Sequence, residues 1–296
     1  MLSKISKANL ELVGLGLVRN CEKTIQPTIK SVEAAVYPFV IKYWILVESD
    51  STDNSLEVLQ ELQASDPRFR IYTLGKLSER IPDRIQRIGF CREFLRKKLL
   101  ATEFVPDKVL VVDMDGVASG LSRGSISKAL VSYPDLSMIS ANSRGLYYDI
   151  LALRRPKVLD CDYREIEQAL LEQGKNLFYA KFKALVENQI FIPQQAKPII
   201  VNSAFGGLAV YDYECMKIST YTSDQTWECE HVVFHRKLAL SGFKLGIVPE
   251  LRVRRQIGHT FFSYKIFWPF WKCLAIFPKT IADKLAKRLG LRAGLN

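Results

Sequence analysis

A short acidic motif at the end of an apolar run most constrains how this chain can fold. Residues 109–112 are Val-Leu-Val-Val, followed by Asp113, Met114, Asp115 and Gly116. The apolar run predicts a strand buried on both faces, and the glycine marks where the backbone turns away. The two carboxylates therefore follow the strand's C-terminal end, where open α/β sheets bind ligands. Paired carboxylates there suit Mg²⁺ or Mn²⁺ bridging a diphosphate, although such acids also serve as solvated turn formers or arginine partners.

The bulk composition indicates a globular α/β protein. The chain has 296 residues and is 48% hydrophobic, enough for one large domain or one domain with an appendage. No stretch reaches 18 uncharged apolar residues, and the first eleven residues lack the apolar block of a secretory signal. We therefore expect a cytoplasmic protein. The six dispersed cysteines form no Cys-x-x-Cys pair, which argues against a zinc module or a disulfide framework.

Positive charge is concentrated at the C-terminal end. Residues 252–296 hold ten basic residues and one acid, so they carry nine of the eleven net positive charges. Eight aromatic residues are interleaved between positions 261 and 277. Aromatic rings and basic side chains together favour an anionic lipid surface, and the clustering of the aromatics argues against nucleic acid. We expect residues 264–296 to contact the inner face of a membrane; packing on the domain or in a dimer contact is the alternative.

Strands and helices alternate along the first half of the chain. This alternation predicts a largely parallel, Rossmann-like sheet there and a more mixed second half. A Glu-, Lys- and Leu-rich segment at 163–189 predicts a helical insertion. The predicted strands are 10–18, 41–47, 70–74, 109–112, 136–141, 150–153, a strand or hairpin within 199–210, and 245–248.

The order of these motifs resembles the GT-A glycosyltransferases, especially the broad family 2 type. The shared features are a strand ending in Arg19-Asn20, the turn Glu-Ser-Asp-Ser-Thr-Asp-Asn-Ser at 48–55, an arginine-bearing helix and the Asp-x-Asp motif. A weaker resemblance, in the same turn and helix, is to fungal capsule-type mannosyltransferases. The resemblance implies a GT-A domain over residues 1–260, with a nucleotide-binding half at about 8–120 and an acceptor half at about 121–260. The basic segment 261–296 would follow it.

The resemblance also implies which residues bind the donor. Glu48 and Asp50 would accept hydrogen bonds from the nucleoside, and Asp113 would contact ribose or metal. Arginines suit a diphosphate because a guanidinium matches phosphate geometry. The remaining residues expected to bind the donor are Arg19, Arg84, Arg92, Gly206 and Gly207. The two glycines would let the backbone approach the donor sugar closely. The structural alternatives are that the arginines are surface charges and that the two glycines form a β-bulge.

The expected metal is Mn²⁺ or Mg²⁺. Asp115 would bind it directly in the family pattern, together with Asp113. His259 follows the strand near Pro249, at the place where many related enzymes put a histidine near the metal, and neutral imidazole is a competent Mn²⁺ ligand. A structural histidine is the alternative.

The catalytic base is expected in the segment Trp227-Glu-Cys-Glu-His231, which resembles the family's acidic motif. Glu230 is the first candidate to take the acceptor hydroxyl's proton. The family usually has a second acid where this chain has His231, so Glu228, Glu230 and His231 remain rivals and the stereochemistry stays open. Trp227 would stack on the acceptor ring, or else pack in the core.

The sequence thus predicts a metal-dependent glycosyltransferase. Its donor would be a UDP- or GDP-linked sugar, and its acceptor a glycan or glycolipid hydroxyl, as in polysaccharide biosynthesis. A sugar nucleotidyltransferase is one alternative, although residues 13–24 hold two glycines within a strand rather than a glycine-rich, basic phosphate loop. A non-catalytic binding module with the same fold is the other alternative.

Overall fold

The protein folds around one eight-stranded sheet. The computed structural model describes residues 10–222 and 228–291. The spatial order of the strands is β3-β2-β1-β4-β7-β5-β8-β6. The strands are β1 (Glu11–Val18), β2 (Val40–Glu48), β3 (Phe69–Thr73), β4 (Lys108–Asp113), β5 (Met138–Ser143), β6 (Ile199–Val201), β7 (Leu208–Asp212) and β8 (Leu245–Val253).

Helices connect these strands and cover the sheet. The α-helices of the described residues are α1 (Ile25–Val36), α2 (Ser55–Ser65), α3 (Arg84–Leu100), α4 (Ser125–Ser132), α5 (Tyr163–Glu172), α6 (Leu177–Ala184), α7 (Tyr213–Ile218), α8 (Glu230–Leu240), α9 (Ile257–Thr260), α10 (Trp268–Ala275) and α11 (Lys279–Arg288). One apolar core lies on each face of the sheet, and a third cluster lies among α5, α6, α10 and α11.

The first half is parallel, as the alternating pattern predicts. β1 pairs in parallel with β2 on one side and with β4 on the other, which brings Val18, Glu48 and Asp113 to the same edge of the sheet. β1 carries two glycines because side chains of the neighbouring elements occupy the space beside it. A Cβ at Gly14 would lie 2.2 Å from the Trp44 ring.

The second half is mixed, also as predicted. β7 runs antiparallel to both β4 and β5, and β6 pairs only with β8. The segment 199–210 therefore supplies two separate strands rather than one hairpin. The predicted strand at Ile150–Leu153 is wrong: these residues lie in a loop and are apolar because they pack into the core beneath the sheet.

The C-terminal segment packs on the helical insertion. Trp271 and Leu274 of α10 are buried against Phe178 and Phe182 of α6, so intramolecular packing explains part of the aromatic cluster. Other apolar side chains of the same segment remain exposed, including Ile266 and Ile276 at 81% and 80%. Within the described residues, no helix combines the length and the hydropathy needed to cross a membrane.

Candidate active site

A cavity of about 370 Å³ opens where β1, β2 and β4 end. Parallel strands place their C-terminal ends at one sheet edge, so residues from distant parts of the sequence converge there. Both acids of the Asp-x-Asp motif line this cavity, which we call the donor cavity. Its lining also includes Arg19, Ser49, Asp50, Arg84, Arg87 and Arg92.

Asp113 is the last residue of β4 and pairs with a buried arginine. Its Oδ1 lies 2.8 Å from an Nη of Arg92. Burial raises the pKa of the Asp113 carboxyl to about 7; Arg92 counteracts this, and the nearby charge of Asp115 adds to it. Two carboxylates therefore repel each other across an open cavity, an arrangement that a cation relieves.

Asp115 lies in the tight turn after β4 and is exposed to the cavity. Its Oδ1 accepts a hydrogen bond of 3.0 Å from the backbone N–H of Val117, and Thr24 Oγ1 donates to the carbonyl of Met114. A Cβ at Gly116 would lie 2.8 Å from the Thr24 side chain, and the glycine has φ +92°, so both space and backbone favour glycine there. The turn fixes the direction of Asp115.

The two carboxylates fit a divalent cation as part of its ligand set. Their oxygens are hard donors facing an open cavity, which leaves further positions for phosphate oxygens and water. Across residues 10–222 and 228–291, no three His, Cys, Asp or Glu side chains cluster as a ready-made metal site. The predicted set of Asp113, Asp115 and His259 is therefore not preassembled. The His259 ring instead packs against Tyr148 at a centroid distance of 5.9 Å.

Arg92 occupies the centre of the site. It is 4% exposed, and its guanidinium donates to Asp113 through one Nη and to Glu230 through Nε at 3.0 Å. The guanidinium also lies over the Phe205 ring at 4.7 Å. Two of its three nitrogens are committed to carboxylates, which leaves Nη1, buried and without a hydrogen-bond partner in the structure, for the predicted contact with a diphosphate.

Glu230 is the first residue of α8 and reaches the site because α3 and α8 approach closely. A Cβ at Gly89 would lie 3.4 Å from the Cβ of Glu230, so the glycine permits that approach. Glu230 also lines a second cavity of about 230 Å³, beside Tyr221 and Thr222. Arg92 therefore connects the donor cavity to this second cavity.

The structure separates the three rivals for the base. Glu228 forms an ion pair with Arg236; it lines the second cavity, as Glu230 does, but is not among the lining residues of the donor cavity. His231 is buried and stacks on Phe205 at 3.8 Å. Burial and the charge of Arg92 lower the pKa of His231 well below its usual value, which makes it a weak proton acceptor. Glu230 alone among the three is linked to Asp113 by one arginine.

The turn at residues 48–55 is held by its own side chains. Glu48 accepts hydrogen bonds from the Ser51 N–H and from Thr73 Oγ1, so it supports the turn instead of facing the nucleoside as predicted. Asp50 does line the donor cavity. Burial acts to raise the pKa of Asp50, but hydrogen bonds from Ser49 and Ser78 outweigh it and lower the pKa to about 2.

Three arginines give the donor cavity its positive charge. Arg19 follows β1, and Arg84 and Arg87 lie in the first turn of α3. Arg87 is held by the carbonyls of Ile81 and Pro82 and lies 3.7 Å from Asp50. Arg19 and Arg84 form no ion pair within the described parts of the chain, so their guanidinium groups remain available to an anion.

The glycine pair has a structural reason. Gly206 and Gly207 have φ of +70° and +83°, and a Cβ on Gly206 would lie 2.5 Å from the Ala141 carbonyl oxygen. The Gly207 carbonyl accepts a hydrogen bond from the Asp113 N–H, so the pair supports the acidic motif from the neighbouring strand. Trp227, predicted to contact the acceptor, lies outside the described residues.

Asp149 is a site residue that the sequence did not indicate. Its Oδ2 accepts a hydrogen bond of 2.9 Å from the Gly206 N–H. Burial raises the pKa of Asp149, and the charge of Glu230 adds to the rise. A single acid after Tyr147-Tyr148 carries no spacing signal, and only the folded loop brings it close to Glu230 and Arg92.

Comparison with protein-family models matches one segment of the chain. Residues 17–79 match the model of the family described as Glycosyl transferase family 2. No curated protein matches the chain, so the weaker resemblance to fungal capsule-type mannosyltransferases stays a prediction.

Several solved structures match nearly the whole chain. The structure of S. aureus TarS 1–349 in complex with UDP is 14% identical, covers 95% of this chain and 71% of its own, and has a TM-score of 0.50. The same protein in complex with UDP-GlcNAc is 13% identical, covers 95% and 72%, and also has a TM-score of 0.50. The mannosyltransferase PcManGT from Pyrobaculum calidifontis, in complex with GDP-Man and Mn²⁺, is 11% identical, covers 97% and 67%, and has a TM-score of 0.47.

Proposed function

We propose that this chain, which has the GT-A fold that its sequence predicts and matches the Glycosyl transferase family 2 model at residues 17–79, is a nucleotide-sugar-dependent glycosyltransferase. The reaction is transfer of a sugar from a UDP- or GDP-linked donor to a hydroxyl of a glycan or glycolipid. One observation carries the proposal: Arg92 joins Asp113 in the donor cavity to Glu230 in the second cavity.

The donor cavity suits a nucleoside diphosphate. Arg19 and Arg84 supply guanidinium groups for the phosphates, and Asp50 supplies a carboxylate facing the cavity. Asp113 and Asp115 would hold a divalent cation, which when bound neutralises charge on the leaving diphosphate. Because Asp113 is already paired with Arg92, Asp115 is the more available ligand.

Glu230 is the proposed base. As the acceptor oxygen bonds to the anomeric carbon, the bond from that carbon to the phosphate oxygen breaks, and the nucleoside diphosphate leaves with the electron pair. The acceptor proton goes to a carboxylate oxygen of Glu230. Arg92 positions that carboxylate through its 3.0 Å contact. In a retaining reaction Glu230 would instead hold acceptor hydroxyls.

The structure of β1 favours this function over a sugar nucleotidyltransferase. The two glycines of the 13–24 segment lie inside the strand, where Trp44 packs over Gly14 and Met114 lies beside Gly16. They are packing positions rather than parts of a loop around phosphates. The donor cavity contains both acids of the Asp-x-Asp motif and two arginines without an ion-pair partner in the described residues. This combination favours an enzyme over a non-catalytic binding module.

A thermal-shift screen of UDP-, GDP-, CMP- and dTDP-linked sugars, with and without Mn²⁺, tests the proposal. A cognate donor raises the unfolding temperature by mass action. The expected result is a shift with one donor class that depends on Mn²⁺ and is lost in Asp115→Ala, followed by Mn²⁺-dependent donor turnover. Donor binding without turnover under any condition would favour the binding module.

We also propose that the C-terminal segment attaches the protein to an anionic membrane leaflet, such as the cytoplasmic one. Side chains of this segment that do not pack on α6 form an exposed apolar set beside lysines, which suits a lipid interface. The set comprises Ile266, Phe270, Ile276 and Ile281, with Lys265, Lys272 and Lys279 nearby in the chain.

Vesicle co-sedimentation tests this attachment. The triple variant I266S/I276S/I281S is expected to lose binding to vesicles containing phosphatidylglycerol. The matched control V105S/V158S/L240S removes three equally exposed apolar side chains elsewhere and is expected to bind as the parent does. Equal binding by both variants would remove the membrane proposal and leave intramolecular packing as the role of the segment.

A further inference from the structure

A strongly basic cavity, different from both the donor cavity and the second cavity, lies elsewhere on the protein. Its volume is about 350 Å³, and it shares no lining residue with the donor cavity. It lies between the N-terminal end of α4 and the end of β8. Four cationic side chains line it: Arg123, Lys128, Arg144 and Arg252.

These four cations have no acidic partner of their own. None of them forms an ion pair within 4.0 Å in the part of the chain that the structure describes. Arg144 donates to the Gly120 carbonyl, Arg252 to the Gln194 amide oxygen, and Arg123 lies over the Tyr37 ring at 3.9 Å. Neutral groups therefore contact the three arginines, and no described acid forms an ion pair with any of the four cations.

One acid does line the cavity, and it is engaged elsewhere. Glu250 accepts a hydrogen bond of 2.8 Å from the Tyr133 hydroxyl. With four cations and one carboxylate, the cavity keeps a net positive charge. Like charges gathered around one space repel one another, and a bound anion relieves that repulsion.

The cavity has polar groups besides the cations. The Ser125 hydroxyl is buried without a hydrogen-bond partner. Arg144 and Arg252 come from neighbouring strand ends, because Asn142 of β5 pairs with Arg252 of β8. Both guanidinium groups line the same cavity, and a guanidinium group matches phosphate oxygens well.

We propose that this basic cavity binds a ligand carrying two or more phosphate groups. Its volume exceeds the space that a single phosphate ion fills, and its cations are distributed around it, so one phosphate would leave several of them unpaired. The ligand is either a soluble diphosphate compound or a phosphate-rich lipid headgroup. Only a few residues separate Asp115 from the lining of the basic cavity, and the Gly120 carbonyl in this loop accepts a hydrogen bond from Arg144. The ligand would therefore lie next to the loop that carries Asp115.

Isothermal titration of inorganic pyrophosphate in a metal-free buffer tests the proposal. The double variant R144Q/R252Q is expected to weaken the Kd at least about tenfold, because two charge-assisted contacts are lost. R144K/R252K keeps both charges and is expected to recover part of the affinity. The control R70Q/K97Q removes two exposed charges, one in β3 and one in α3, that do not line this cavity, and is expected to bind as the parent does. Circular dichroism checks that each variant is folded.

The donor cavity is the competing site for the probe. R84Q/R87Q is expected to affect only a separate binding event in the donor cavity and to retain the binding event that R144Q/R252Q weakens. Loss of binding in R84Q/R87Q with retention in R144Q/R252Q would overturn the proposal, as would an equal loss in R70Q/K97Q or no binding by the parent protein.

Vesicles containing phosphatidic acid distinguish the two ligand sources when R144Q/R252Q is made in the I266S/I276S/I281S background, which removes the proposed attachment through the C-terminal segment. If the ligand is a lipid headgroup, R144Q/R252Q loses vesicle binding as well as pyrophosphate binding. If the ligand is soluble, only pyrophosphate binding falls. Either result supports a phosphate site in this cavity.

Discussion

Arg92 Nε donates a 3.0 Å hydrogen bond to Glu230 Oε1, although the two residues lie 138 positions apart in the chain. The same guanidinium holds Asp113, so one buried cation sets the distance between the acid beside the leaving group and the proposed base. A buried arginine with two carboxylate partners is costly to desolvate and is destabilising to break. The site and the stability of the fold therefore share one residue.

Replacement of Arg92 by methionine is expected to lower the free energy of unfolding by about 3–5 kcal/mol, because Asp113 and Glu230 lose their buried partner. Urea unfolding at neutral pH measures the loss. Arg68 provides the control: its partners Glu33 and Asp66 are partly exposed, and Arg68→Gln is expected to cost at most about 1 kcal/mol. Similar losses in both variants would show that the Arg92 bridge is not a stabilising contact.

Glu230→Gln is expected to lower kcat by about 10² to 10⁴ while leaving the donor Kd close to that of the parent, because the base is lost but the donor cavity is intact. Glu228→Gln is the matched control, since its carboxyl pairs with Arg236 and not with Arg92. Steady-state transfer assays measure kcat for both variants and show which carboxylate acts as the base. A larger loss of kcat in Glu228→Gln would transfer the role of base to Glu228.

Asp50 is expected to stabilise the fold fully above about pH 4 and progressively less as the pH falls from 4 to 2. Its pKa in the folded protein is about 2, against an ordinary value of 3.8, so the ionised carboxylate favours folding above the ordinary value, and the contribution disappears as pH falls through 2. The difference corresponds to about 2 kcal/mol. Asp50→Asn should therefore be less stable than the parent at pH 7 and nearly equal to it close to pH 2. A difference that stays constant over this range in denaturant titrations would contradict the assignment.

Gly14→Ala is expected to destabilise the protein by about 1–3 kcal/mol, because the new methyl group would meet the Trp44 ring at 2.2 Å in a filled core. Gly258→Ala is the control, since a Cβ there meets nothing within 4 Å. Thermal unfolding should show a lower transition temperature for the first variant and an unchanged or slightly higher one for the second. If Gly14→Ala unfolds like the parent, the packing argument for the β1 glycines fails.

The sequence predicted those features that a contiguous pattern carries. The apolar run at 109–112 identifies β4, and a strand buried in a parallel sheet leaves only one place for the acids that follow it. The alternation of strands and helices likewise gives the parallel first half. The apolar run at 150–153 is ambiguous, because a loop buried beneath a sheet has the same apolar composition as a buried strand.

The sequence could not show contacts between residues that are distant along the chain and come together only in the folded protein. Arg92 resembles a surface phosphate ligand when read alone, and only the approach of α3 to α8 shows that its partners are Asp113 and Glu230. Asp149 depends on a loop that has no periodicity of its own. The position of His259 depends on α9, which places its ring against Tyr148.

The central claim is that Asp113 and Asp115 hold a divalent cation against a nucleoside diphosphate in the donor cavity. Calorimetric titration of UDP and GDP into the protein, with and without Mn²⁺, tests it most directly when the parent is compared with Asp115→Ala. We predict that Mn²⁺ tightens binding of one nucleotide at least about tenfold in the parent and has no such effect in the variant. An identical Mn²⁺ effect in Asp115→Ala, or no Mn²⁺ effect in the parent, would contradict the claim.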